Sequence, residues 1–83
     1  TQIRKAEDDL NNKNYAIALA NINRALELDP YSAKSYFVRG KLYAVLGNKH
    51  SARIDLARSL QMGLSGDDRQ EARSLLVSME MSY

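Results

Sequence analysis

Cysteine is absent, histidine and proline occur once each, and only four glycines are spread along the 83 residues. The missing cysteines remove disulfides, thiolate metal ligands and thiol nucleophiles together. They also lean, weakly, towards a reducing compartment such as the cytoplasm. Breakers this sparse leave too few tight turns for a sheet protein and favour helices. No apolar run approaches the roughly 18 residues that span a bilayer, so membrane insertion is not expected. A dominant charge is missing as well. Twelve basic and ten acidic residues are interleaved for a net +2, which argues against nucleic acid or an anionic membrane as partner. A chain of this length forms one domain, here taken as 1–83, or part of a longer array. Such a domain buries about 60% of its unfolded surface, so its stability should be modest. The first residue is Thr1, as expected of a processed chain or an excised segment, and a missing leader therefore carries no information.

What is present is a spacing. Ala6, Gly40 and Ser74 stand 34 residues apart, and Ala18 and Ala52 keep the same step. A repeat of this length without strand signals points to stacked helical hairpins, each with an apolar face it cannot bury alone. Small side chains mark where two helices approach closely. The breaks at Lys13-Asn14, Asp29-Pro30-Tyr31-Ser32, Gly47-Asn48 and Met62-Gly63-Leu64-Ser65-Gly66 leave five segments of helical length. The first, about Gln2 to Asn12, has a thin stripe of Ile3, Ala6 and Leu10. The second, about Tyr15 to Leu28, places Ala18, Ile22, Ala25 and Leu26 on one face, widened by Leu19 and Leu28. Asn14 is its expected cap and Pro30 its stop. The third, about Ala33 to Leu46, begins after the N-cap Ser32 and is apolar on two sides through Tyr36, Phe37, Gly40, Tyr43, Val45 and Leu46. Gly47 ends it. The fourth, about Lys49 to Met62, repeats the second with Ala52, Leu56, Ser59 and Leu60, and Gly63 terminates it. The fifth, about Asp67 to Met81, is capped by Ser65 or Asp67 and carries the stripe Ala72, Leu75, Leu76 and Met79.

These residues resemble the tetratricopeptide repeat. One unit, about 1–32, carries Ala6, Tyr15, Ala18, Ile22, Ala25-Leu26 and Leu28-Asp29-Pro30. The next, about 33–66, carries Tyr36, Arg39-Gly40, Tyr43, Gly47, Ala52, Leu56 and Ser59-Leu60. The departures are Lys5 where the family has leucine, Asp9 where it has an aromatic residue, and a second unit ending Met62-Gly63-Leu64 without proline. The resemblance covers about residues 2–66 and implies an all-α fold, an α-α superhelix of right-handed sense. Two antiparallel hairpins would be closed by a capping helix at about 67–81. It implies no enzyme, cofactor or metal, but a protein-binding module whose first helices line a concave face. On the family register that face holds Ile3, Glu7, Leu10 and Asn11, then Lys34, Phe37, Lys41 and Ala44, then Glu71, Leu75 and Ser78. Phe37 is the expected exposed anchor point, flanked by two lysines that would suit a peptide or helix bearing one apolar anchor and an acid. The competing reading for Lys41 is an internal pair with Glu7, of little net value. One subclass of the family clamps a chaperone's C-terminal carboxylate, but its clamp positions here hold Ile3, Glu7 and Val38, so that activity is not expected.

Reactive chemistry is thin. His50 lies in a surface-like stretch with no nucleophile beside it. Glu7-Asp8-Asp9 and Asp67-Asp68 are consecutive on helices and point apart, so they read as solvated or dipole-favoured acids, not as a metal site. Of the five tyrosines, Tyr15, Tyr36 and Tyr43 read as packing residues; without a basic stripe they are not a platform for bases. Two other functions stand beside partner binding. One is self-association as a homodimer, since two repeats fall short of the roughly three that usually stand alone. The other is an accessory segment of a larger enzyme or regulator, or of a longer repeat array.

Overall fold

The computed structural model describes residues 2–80. It contains α1 (Gln2–Asn11), α2 (Tyr15–Leu28), α3 (Ala33–Val45), α4 (Lys49–Gln61) and α5 (Gly66–Glu80). No strand occurs among the described residues, so the protein is all-α. The expected helices appear with ends shifted by a residue or so; Met81 and Tyr83 lie outside the described residues.

The helix ends follow from local chemistry. Ser32 caps α3 by accepting a hydrogen bond from the Ser35 amide. The Asn48 side chain does the same for α4, accepting from the Ser51 amide. Asn14 is placed to cap α2, but its side chain makes no cap bond there; the cap expected of it is not formed. Three C-termini close in one pattern, in which the amide of the left-handed residue and the amide after it reach back to the last turn. At α3 these bonds run from Gly47 to Ala44 and from Asn48 to Tyr43; at α4 they run from Gly63 to Leu60 and from Leu64 to Ser59. At α1 they run from Lys13 to Leu10 and from Asn14 to Asp9. Lys13 thus stands at φ 65°, where Gly47 and Gly63 stand at 83° and 93°. A lysine occupies a conformation that favours glycine.

The short turns fold α1 back on α2 and α3 back on α4 as antiparallel hairpins. α2 then packs on α3, α4 on α5, and α1 touches α3. The core runs through all five helices, with Ala6, Ala18, Ile22, Phe37, Val38, Leu42, Leu56 and Ala72 almost fully buried. The 34-residue register is visible in it: Ala18 with Ala52, Ile22 with Leu56, and Ala25 with Ser59 are buried pairs. Gly40 explains the tight α3–α4 contact. A Cβ there would lie 2.8 Å from Leu56 Cγ and 3.2 Å from the Leu56 backbone nitrogen.

The register stops short in two places. Ala6 and Gly40 are buried, but Ser74 is exposed, against the expectation that all three mark helix contacts. Ala6 and Gly40 belong to the first helices of hairpins, and Gly40 meets the returning helix; α5 has no returning helix among the described residues. Leu28 was expected to widen the buried face of α2, yet it is 72% exposed. It falls at the end of the helix, where the chain turns towards Pro30 and no neighbour covers it.

Candidate partner-binding groove

Lys34, Phe37 and Lys41 share one face of α3 by their spacing. The flanking helices bring acids to that face. Lys34 Nζ lies 3.4 Å from a Glu7 carboxylate oxygen on α1 and donates a hydrogen bond to Asp68 on α5. Lys41 Nζ lies 3.1 Å from Glu71 on α5. Partial burial alone would lower the pKa of Lys34, but the hydrogen bond to Asp68 and the charges of Glu7 and Asp68 outweigh it and leave the pKa raised. The Phe37 ring lies beneath both ammonium groups, at 5.5 Å from Lys34 and 4.8 Å from Lys41.

This arrangement corrects two expectations. Phe37 is 1% exposed and belongs to the core, not to the surface. The acids of α1 and α5 draw the two lysines across the ring and close over it. Lys41 pairs with Glu71, not Glu7, because Glu7 is taken by Lys34. The lysines are therefore neutralised within the fold and do not offer free charge to an acidic ligand.

Between α3 and α5 a shallow groove of about 310 Å³ remains, lined by Lys41, Ala44, Val45, Glu71 and Leu75. Of the residues expected on the concave face, Lys41, Ala44, Glu71 and Leu75 thus meet here. Ile3 and Leu10 on α1 are half-buried against the core and do not line this groove. Val45 was read as packed between neighbours but is 53% exposed on the groove wall. Its position four residues after Lys41 was the signal that placed it on the same face.

The opposite side of α3 holds a contact that the sequence reading missed. Arg39 donates from Nε to Asp55 Oδ2 at 2.7 Å, from Nη2 to Asp55 Oδ1 at 3.0 Å, and from Nη1 to Asn23 Oδ1 at 3.0 Å. Asp55 is buried at 3% exposure. The hydrogen bonds to Asp55 outweigh desolvation and hold the guanidinium pKa above its ordinary value. The available signal was Asp55 itself, which interrupts the buried stripe Ala52, Leu56, Ser59; an acid there needs a cation. Beside this pair a polar hollow of about 190 Å³ is lined by Arg39, Tyr43, Ser51, Ile54, Asp55 and Arg58. In the first hairpin Asn21, which stands 34 residues before Asp55, donates instead to Asp9 at 2.9 Å.

His50 is exposed, as expected. Among the described residues no group of three or more histidine or acidic side chains is placed to hold a metal ion, and no helix is long and apolar enough to cross a membrane. No protein-family model matches the chain, and no curated protein or solved structure matches it at a significant level.

Proposed function

We propose that this protein is a tetratricopeptide-type helical-repeat module that binds a peptide or helix of a partner protein in the groove between α3 and α5. The observation that carries the reading is the groove itself: Ala44, Val45 and Leu75 form an apolar floor beside the Lys41–Glu71 pair. An apolar anchor set among polar rims is how short segments are held. The 34-residue register of buried small residues supports the repeat assignment. Since Lys34 and Lys41 are already paired, the ligand is one whose apolar side chain supplies the affinity, with no acid required of it.

A photo-crosslinker at Ala44 and a Val45→Glu variant test this. Val45 is more than half exposed, so the variant should keep its helicity and melting temperature within a few degrees. It should lose capture of a crosslinked partner by at least about tenfold, the worth of one anchor at an interface. Unchanged capture would remove the groove from consideration. Sedimentation separates this from pairing of two copies. The exposed large hydrophobics, Ile17, Leu28, Tyr31, Val45, Leu46, Ile54 and Val77, are distributed over α2, α3, α4, α5 and the turns between them, whereas a stable dimer buries a contiguous apolar face. A monomer at micromolar concentration is the expected result.

A further inference from the structure

We infer that the outer side of α4 is a second docking surface, which takes an acidic peptide segment and receives one of its carboxylates at Arg58. The surface is basic by composition and by pairing. Arg53 and Arg58 are both exposed on α4, while its single acid, Asp55, is buried and engaged by Arg39. The other interhelical acids that form ion pairs, Glu7, Asp68 and Glu71, are engaged with the lysines of α3. The overall excess of +2 is therefore not spread evenly, and α4 presents cations without an exposed acid of its own.

Arg58 is the anchor of this surface. Its guanidinium lies over the Tyr36 ring at 5.3 Å, and no carboxylate among the described residues pairs with it. Stacking holds the plane of the group and leaves its edge for a bidentate acceptor. Tyr36 is itself anchored, since its hydroxyl donates to the Pro30 carbonyl at 3.1 Å. The hollow beside Arg58 is lined by Arg39 and Asp55, whose charges offset each other, and adds the polar side chains Ser51 and Tyr43 and the apolar Ile54, which is 46% exposed. A carboxylate on a short aliphatic stem matches that mixture. Nucleic acid matches it less well, because a phosphate backbone needs a row of cations at regular intervals and gains nothing from Ile54.

The test is titration of the ¹⁵N-labelled protein with an N-acetylated decapeptide of glutamates containing one leucine. The expected result is saturable shifts confined to α4, Tyr43 and the Arg58 side chain, lost as salt is raised past the screening range. Arg58→Glu should weaken binding by about tenfold or more and Arg58→Lys by a few-fold, because lysine keeps the charge but not the fork. Arg58 is exposed, so both variants should melt near the parent; their melts are recorded alongside. The groove variant Val45→Glu should bind the decapeptide as the parent does, which separates this surface from the α3–α5 groove. Absence of saturable binding would overturn the proposal. So would equal binding by Arg58→Glu, shifts centred on Leu75, or a duplex oligonucleotide that binds the same residues more tightly than the peptide.

Discussion

At the scale of single residues, two side chains behave differently from what their chemistry alone suggests. Phe37 is wholly enclosed although lysines flank it three residues before and four residues after. Truncating it to alanine empties the space beneath Lys34 and Lys41, and the expected loss is about 3–5 kcal/mol in a urea titration, as for other buried aromatics. A loss below 1 kcal/mol would place the ring outside the core. Lys13 is the reverse case. Its neighbours in the same left-handed role are glycines, and a side chain costs about 1–2 kcal/mol in that conformation. Lys13→Gly releases this strain but loosens the unfolded chain, so the net gain should be about 0.5–1 kcal/mol. An unchanged or lower denaturation midpoint would contradict it.

At the scale of helices, the α3–α4 pair is the tightest joint. Gly40→Ala adds helix propensity worth about 1 kcal/mol, but the new methyl meets Leu56 side chain and backbone at once. Overpacking of this kind costs about 1–3 kcal/mol, and the variant should melt below the parent; a higher melting temperature would mean the helices can separate freely. The same joint contains Arg39 and Asp55. Arg39→Leu leaves a buried carboxylate without its cation and should cost about 3–5 kcal/mol, most of it recovered in the double variant Arg39→Leu/Asp55→Leu. A double-mutant cycle measured by urea unfolding gives the answer directly.

Helix positions and the buried stripes of α2 and α4 were legible in the sequence, because one period of 3.6 residues and one of 34 residues both point to Ala18, Ile22, Ala52 and Leu56. Which neighbour a lysine chooses was not. Lys34 and Lys41 lie two turns apart on α3, and only the offset between α1, α3 and α5 assigns Glu7 and Asp68 to the first and Glu71 to the second. For the same reason the helical face of Phe37 was readable but its depth was not, since depth depends on how far two other helices close over it. Arg39 was read only as part of the Arg39-Gly40 step of the repeat and not as the partner of an acid on the next helix.

For the whole molecule, stability should be graded from the middle outwards. α3 packs against α1, α2 and α4 and carries six of the fully or nearly buried residues, whereas α1 buries only Ala6 among its described side chains. Native-state hydrogen exchange should therefore find the slowest amides in α3 and α4 and the fastest helical ones in α1. Uniform protection across all five helices would mean a single cooperative unit with no outward gradient.

Ser74 is the member of the 34-residue register that meets water, while Ala6 and Gly40 are buried. Exchanging its hydroxymethyl group for a methyl at that hydrated helical position should therefore leave the fold almost indifferent, within about 0.5 kcal/mol, where bulk added at Gly40 would wedge two helices apart.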